Sequence, residues 1–494
     1  MRKSGAGVGP TSAAEQYPRP RLLVVALSMV ALTVAVLQTA VVPVLGIIAE
    51  QLNASTVAVS WAVTANLLAA AASTPLIGRL ADLYNKKHVL LAVLVAVLVG
   101  SILAAVTSSL ALLIVARVLQ GVSFSLYPIC VAILRDALPE GAVVGALAVL
   151  SGTLGFGGGT GLVVTGLLMN GDAGYHRVFW LTTGFTLAVL VLAATVVPSA
   201  TTRGVGTVDW LGALGLAIGL SALLLAITQG NTWGWLSPAT LGVTALGTAV
   251  LAAWWAWERR QRHPLVSISM LSRRAVLLTN LATIFVGMGL YFGFLGLTQF
   301  VQIDRDAAGY GFSASVLQAS VVFLLPGAIA GFVTATLSGR FIDRFGARLV
   351  LVSGAVTGVI GFLWLAISHD QSWQVIVAGI WVNAYISLGY GALPALVVSE
   401  VDSGETGVAT GVNAIARTVG SSIAAAAVAV LLARSATSTG TGLPSEHAFV
   451  LIFAGGAVTA ALAMILIAVS GAGQGRGRSA EPNVDSRAMN HEWG

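Results

Sequence analysis

Fourteen long stretches of this sequence are free, or nearly free, of charge, and that pattern constrains the fold more than any other feature. They are Leu22–Ala49, Gln51–Gly78, His88–Thr107, Ser109–Leu134, Ala142–Asn170, Val178–Val197, Trp210–Gln229, Pro238–Trp257, Ala275–Ile303, Ser313–Ser338, Leu349–Ser368, Ser372–Ser399, Thr406–Ala433 and Ala448–Ser470. About 20 apolar residues cross a bilayer as a helix. Only 9% of the 494 residues are charged, against about 25% in a soluble domain. A soluble globule of this size lacks the polar surface to stay in solution. Disorder is excluded as well, because it needs low hydrophobicity and high charge. The expectation is an all-α polytopic membrane protein with fourteen transmembrane helices.

Two of the splits rest on punctuation. Trp210–Trp257 is uncharged throughout and too long for one helix. Asn231-Thr-Trp-Gly-Trp-Leu-Ser-Pro238 breaks it, with Gly and Pro as breakers and a Trp pair typical of a membrane interface. Thr107-Ser-Ser109 separates helices 3 and 4 in the same way. The basic residues then set the orientation. With both termini cytoplasmic, twenty Lys and Arg fall inside and three (Arg177, Arg305, Arg434) outside, while Arg117 and Arg417 lie within spans. Losing any one helix would put the downstream charges on the wrong side.

The net charge of +6 therefore marks a cytoplasmic face able to touch anionic lipid headgroups, and is no sign of a nucleic-acid partner. A single Cys, Cys130, excludes disulfide scaffolds and Cys-based metal sites. The six His (88, 176, 263, 369, 447, 491) show no metal-ligand spacing. No metal or cofactor is expected. Residues 1–21 read as a flexible N-terminal tail and 471–494 as a polar, Gly- and Arg-rich C-terminal tail. The first apolar run is too long for a signal peptide.

The sequence also repeats. Gly78-Arg79-Leu-Ala-Asp82-Leu-Tyr-Asn-Lys86-Lys87 links helices 2 and 3, and Gly339-Arg-Phe-Ile-Asp343-Arg344-Phe-Gly-Ala-Arg links helices 10 and 11. The offset suggests a duplicated six-helix unit: residues 22–200 as one half, an inserted helix pair at 201–260, and 261–470 as a pseudo-symmetric second half. Transporters are often built this way, with the substrate site at the repeat interface near the midplane.

The first of these loops resembles the signature of the major facilitator superfamily. Other stretches resemble its fourteen-helix branch, the drug:proton antiporters: Val59-Ser-Trp61-Ala-Val-Thr64 with Leu67-Leu-Ala-Ala in helix 2, Arg117-Val-Leu-Gln120-Gly121 in helix 4, and Gly411-Val-Asn413-Ala-Ile-Ala-Arg417-Thr-Val-Gly420 in helix 13. The resemblance spans about residues 22–470. It implies that the Asp82 loop latches the two halves in the outward-open state and that Arg117, with Gln120 and Gly121, takes part in proton coupling. Leu83 stands where the family has Arg, and Asn85 where it has Gly; Asn tolerates the left-handed conformation that such a turn uses.

Residue chemistry supplies its own readings. A carboxylate at Asp82 can pair with Arg79 or Lys86, or face a helix N-terminus, where the dipole favours an anion. Against the latch stands a plain solvated loop. A charge inside a membrane helix is a functional hypothesis by default. For Arg117 the competing reading is a structural Arg bonded to carbonyls; Arg417 could contact substrate, a proton-carrying group or only a neighbouring helix. In helix 5, Gly155-x-x-x-Gly159 and Gly157-x-x-x-Gly161 allow close packing. The antiporter signature in this helix normally includes a Pro, which is missing. Gln38, Trp61, Asn66, Asn280, Gln299, Asn383 and Asn413, with Arg417, are the cavity candidates, each competing with an ordinary interhelical hydrogen bond.

An absence is as informative. Every Asp and Glu falls in a loop or at a helix end, and Gln38 stands where the branch usually has an acid early in helix 1. Gln cannot carry a proton. Either coupling uses another group (Glu50, Asp136, Glu400 or an acid at the cavity mouth), or it is weaker than the resemblance implies. A cavity without an acid also favours neutral, zwitterionic or anionic substrates over strongly cationic ones. The expected function is export of small amphipathic, drug- or antibiotic-like molecules across the cytoplasmic membrane, in exchange for protons. A lipid or metabolite exporter and an uptake carrier share the scaffold. A membrane enzyme is disfavoured, since no long loop holds clustered carboxylates or His at ligand spacing. The oligomeric state is not set by sequence, and a monomer suffices for the fold.

Overall fold

The computed structural model describes residues 19–41, 44–169, 174–199, 208–261, 264–401, 405–439 and 443–470, and all regular structure among them is helical. Among the described residues there are fourteen long helices: α1 Pro20–Thr39, α2 Thr56–Leu83, α3 Lys86–Val106, α4 Leu110–Ala137, α5 Glu140–Leu168, α6 His176–Val196, α7 Trp210–Trp233, α8 Pro238–Glu258, α9 Arg274–Gln302, α10 Ala319–Phe345, α11 Ala347–Ile367, α12 Ser372–Ser399, α13 Thr406–Thr439 and α14 Glu446–Ser470. Thirteen are long and apolar enough to cross a membrane; α5, a continuous helix of 29 residues, is the fourteenth. Both expected tails lie outside the described residues, apart from Arg19, which precedes α1, and Pro20 and Arg21, which open it.

Local chemistry sets the helix ends. Ser55, Asp209 and Ser237 cap α2, α7 and α8 by accepting from the amides of Ala58, Gly212 and Thr240. The Trp-rich break falls where expected: α7 ends at Trp233, Gly234 takes φ +91°, and Pro238 opens α8. Three expectations need correction. The first apolar run is not one span, because the chain turns after Thr39 and continues as a short helix, Leu45–Gln51. The Asp82 and Asp343 motifs are not loops: Gly78–Leu83 and Gly339–Phe345 are the last turns of α2 and α10. Asn85 is not left-handed. It has φ −61° and caps α3, its side chain accepting from Lys87 and His88. Its repeat counterpart Gly346 does have positive φ, +82°. One turn is thus closed by a side-chain cap, the other by backbone freedom.

Two spans are irregular within. The helix of α4 tightens to a 3₁₀ turn at Val122–Ser125, between Gly121 and Pro128. In α10 the first turns, Ala319–Leu324, are π-helical, just ahead of Pro326, which has no N–H to continue the ladder.

The packing reproduces the repeat pair by pair. Helix α1 packs on α5 and α6, α2 on α4, and α3 on α4 and α6. Eight helices later, α9 packs on α13 and α14, α10 on α12, and α11 on α12 and α14. Each half closes on its own core, around Leu27, Leu94 and Ile129 in the first and Phe362, Phe449 and Phe453 in the second. Two seams join the halves, again as counterparts: α2 and α4 meet α13, and α10 and α12 meet α5. The inserted pair breaks the symmetry. Helix α7 lies against α2 and α13, whereas α8 packs mainly on α7 and is the least buried of the spanning helices.

Candidate functional site

Helices alternate in direction, so Asp82 shares one end of the bundle with the start of α13 and the ends of α4 and α12. We call it the basic end. There the Asp82 carboxylate accepts from the backbone amides of Gly407 (3.1 Å) and Val408 (3.1 Å), one oxygen to each. An anion has found the N-terminus of α13, where amides are unpaired and the helix dipole is favourable. The glycine four residues earlier makes this possible. A Cβ at Gly78 would sit 3.0 Å from the Gly407 carbonyl oxygen, and one at Gly407 would sit 2.5 Å from the carboxylate. The two backbones must touch for the carboxylate to reach. From α4, Arg135 donates to the Thr406 hydroxyl and to the Val401 carbonyl, at 3.2 Å to the latter. Lys86 pairs with Asp136 at 2.7 Å, tying the α3 start to the α4 end. Arg79 lies within electrostatic reach of Asp82 and of Glu258 in the inserted pair. Lys87 is half-buried at the start of α3.

The second copy is built differently. A Cβ at Gly339 would sit 2.8 Å from the Gly145 Cα of α5, so this seam is as close as the first. Yet Asp343 and Arg344 are exposed, and Arg344 lies over the ring of Phe345. Further along, a Cβ at Gly152 would clash with the Ala335 methyl, while Gly157 and Gly161 turn to α1, against Leu32 and Thr39. Helix α5 therefore uses its glycines to lie close to α1 and α10 at once. Packing at the other two expected positions, Gly155 and Gly159, lies outside the described residues.

A cavity of about 550 Å³ lies between the halves, and its wall includes Thr39, Leu45 and Asn231, which belong to the end of the bundle opposite Asp82. Its wall takes residues from both halves and, through Thr228 and Asn231, from the inserted pair. Gln38, Asn66, Asn383 and Arg417 lie on it. Trp61, Asn280, Gln299 and Asn413 are not among its lining residues. Asn413 instead donates to Asn280 (3.0 Å) and Thr283 (2.7 Å), tying α13 to α9, and Gln299 is exposed.

The two intramembrane arginines have different surroundings. Arg117 is fully buried. It donates from Nε to the Ala62 carbonyl (3.1 Å) and from Nη1 to the Leu37 carbonyl (3.3 Å) and Gln120 Oε1 (2.6 Å). Gln120 passes the network to Ser101, and Asn66 donates to the Arg117 carbonyl. Gly121 lets α4 come against the Asn66 backbone. The motif thus joins α1, α2, α3 and α4. Arg417 sits 11 residues into α13, about 16 Å from its start at 1.5 Å per residue. Its guanidinium lies over Tyr390 (4.6 Å) and Tyr127 (5.3 Å). The Tyr127 hydroxyl is held by Ser151 at 2.8 Å.

Some of these partners are invisible in sequence. Tyr390 lies in an unremarkable Gly-Tyr-Gly of α12, and Arg135 reads as an ordinary positive-inside charge. The amides of Gly407 and Val408 carry no side-chain signal at all; a glycine one residue past an expected helix start was the available hint. Asn231 belongs to a break motif and yet reaches the cavity, donating to the Ala426 carbonyl at 3.1 Å.

The sequence model of the Major Facilitator Superfamily matches residues 27–425. An uncharacterized MFS-type transporter of Mycobacterium tuberculosis is 30% identical over 428 residues, 83% of this chain and 59% of that protein. The chain thus spans less than two thirds of that relative's length. The tetracenomycin C resistance and export protein of Streptomyces glaucescens is 30% identical over 436 residues, 86% of this chain and 77% of that protein. The uridine/deoxyuridine transporter of Lactococcus lactis is 28% identical over 400 residues, 75% of this chain and 79% of that protein. The crystal structure of the human organic anion transporter MFSD10 (TETRAN) superposes with a TM-score of 0.64 over 91% of this chain and 100% of that one; at 14% identity the likeness is one of fold. With the family match over most of its length and two six-helix halves packed alike around an inserted pair, this multi-pass membrane chain belongs to the major facilitator superfamily.

Proposed function

We propose that this chain is a secondary active exporter of small amphipathic molecules, drug- or antibiotic-like, working by alternating access across the cytoplasmic membrane and driven by protons. The superfamily is one of transporters rather than enzymes, so transport follows from membership; direction, substrate and driving ion are the proposal. The observation that carries it is a drug-sized cavity between two halves, with the Asp82 cap joining α2 to α13 at the basic end. The basic end is cytoplasmic on this reading, by the excess of Lys and Arg there, and both termini lie on that side. Substrate then leaves through the opposite end, and α2 must release α13 for the cavity to open inward. Relatives named for tetracenomycin export and for multidrug resistance support the direction. Among the described residues the cavity wall carries no Asp or Glu, so on this reading no carboxylate there carries the proton. A second reading, movement of a polar metabolite, is favoured by the relative named as a uridine/deoxyuridine transporter.

Inside-out vesicles with an acidic interior provide the test. Candidate amphipathic compounds are added singly and the lumenal pH is followed with a quenched dye. Substrate-dependent alkalinisation, absent in Asp82→Asn, is expected. Substrate accumulation that is indifferent to a collapsed proton gradient would contradict the proton step, and accumulation of no compound by folded protein would contradict export.

A further inference from the structure

We propose that the substrate is an organic anion, an aromatic or aliphatic skeleton bearing a carboxylate, sulfonate or ionised phenol, and that Arg417 is the residue that holds its charge. The inference rests on the transporter reading above and deepens it.

Arg117 and Arg417 are both cations in an apolar bundle, where a charge is costly and needs partners. Arg117 has them: two backbone carbonyls and Gln120 accept from its guanidinium. Arg417 differs. None of the described residues accepts a hydrogen bond from its side chain, and its neighbours are the faces of Tyr127 and Tyr390. Ring faces steady a cation, but they leave its N–H edge unused. The guanidinium, a planar fork of donors, lies on the cavity wall, and such a fork matches a carboxylate or sulfonate.

The placement is rigid, which suits a binding group. Gly287 of α9 lets the Arg417 carbonyl come into direct contact, and Gly420 does the same for Ile284. Ser421 then donates to both the Gly287 and Arg417 carbonyls, at 3.3 and 3.0 Å. The backbone that carries Arg417 is pinned to α9 on either side. Tyr390 comes from α12 and Tyr127, through Ser151, from the other half, so the charge sits where the two halves meet.

The rest of the wall agrees in sign. Its charged residues are Arg417 and Arg117, both positive, and its described members include no acid. Gln38, Asn66, Asn231 and Asn383 add neutral polar groups, and Phe124, Tyr291 and Phe294 add apolar surface for a ring system. An anion moved outward also travels with an inside-negative potential. A cationic substrate would meet two like charges and no counter-ion.

The experiment uses full-length protein in lipid nanodiscs and a matched pair of probes: anilinonaphthalene sulfonate and phenylnaphthylamine, the same rings without the sulfonate. Binding above that of empty discs is read by equilibrium dialysis. The sulfonate should bind about tenfold tighter than the amine. Arg417→Gln should bring the two within about twofold, and Arg417→Lys should keep part of the preference, since the charge stays while the fork is lost. Equal binding to wild type, or a preference that survives Arg417→Gln, would overturn the proposal. Gln38→Asp leaves Arg417 in place and guards against a folding defect. It should weaken the sulfonate about fivefold and spare the amine; unchanged sulfonate binding would count against an electrostatic site. Uptake of both probes into inside-out vesicles separates this inference from the one beneath it. Movement of the amine but not the sulfonate sinks the anion proposal and leaves export standing. Arg417-dependent binding with no movement of either leaves the anion site standing and sinks export.

Discussion

The two seams between the halves are counterparts in backbone and opposites in chemistry. In each, a glycine at the end of a helix allows contact with the start of a helix from the other half: Gly78 against Gly407, and Gly339 against Gly145. Beyond that shared geometry they diverge. At the α2–α13 seam Asp82 is 5% exposed and its carboxylate is bonded to two amides, Arg135 adds bonds from α4, and α7 packs on both helices. At the α5–α10 seam Asp343 points to solvent and close contact of small residues does the joining. A duplicated motif has kept its steric part twice and its electrostatic part once. A symmetric scaffold can thus join its halves by a carboxylate–amide cap at one seam and by close contact of small residues at the other.

The difference can be broken where it is greatest. Asp82→Asn keeps the shape but turns an amide NH₂ toward one of the two backbone donors and removes the charge. It should lower the initial export rate at least about tenfold, whereas Asp343→Asn should stay within about twofold. Equal losses would mean that the exposed copy carries a role its surroundings do not reveal. Steric substitutions should erase the contrast. Gly78→Ala and Gly339→Ala each force a methyl into occupied space and should each cost about fivefold, with Gly141→Ala, which meets open space, as the silent control. The same rate assay reads all three.

Smaller effects sharpen the picture. Arg135→Leu removes the α4 contribution to the α2–α13 seam and should slow transport about threefold, because the Asp82 cap remains. Asn231→Ala cuts the bond from α7 to the Ala426 carbonyl. Such bonds are worth about 0.6 kcal/mol in a bilayer, so a slight fall in thermal stability is expected with export nearly intact. A large loss of export would instead give the inserted pair a part in the cycle.

How much of this could be read from residues alone depended on the range of the interaction. Charge spacing is a one-dimensional signal, and it carried the helix count, because an apolar run must cross the membrane or leave it. The repeat was legible for the same reason: Gly78 and Asp82 recur as Gly339 and Asp343. What each copy binds was not, because the partners of Asp82 are backbone amides more than three hundred residues away. Arg117 and Arg417 look alike in sequence, each a lone cation in an apolar helix. Only the fold shows that carbonyls surround the first and tyrosine faces the second. Asn413 and Asn280 read as cavity residues and bond to each other, since polarity in a membrane helix marks a need for a partner without saying which. Asn85 shows the limit of substitution by type: a residue able to adopt the left-handed turn closed the link as a helix cap instead.

The measurement closest to the central claim is a pair of distances, one across each seam. Cys130, the lone cysteine, is fully buried, so introduced cysteines can be spin-labelled against a quiet background. Tyr84→Cys with Glu405→Cys reports on the α2–α13 seam, and Phe345→Cys with Gly141→Cys on α5–α10. In Asp82→Asn the first distance should lengthen and broaden by several ångströms, and the second should hold in Asp343→Asn. A first distance unmoved by Asp82→Asn, or two seams that respond alike, would contradict the claim that a single capped helix locks this protein.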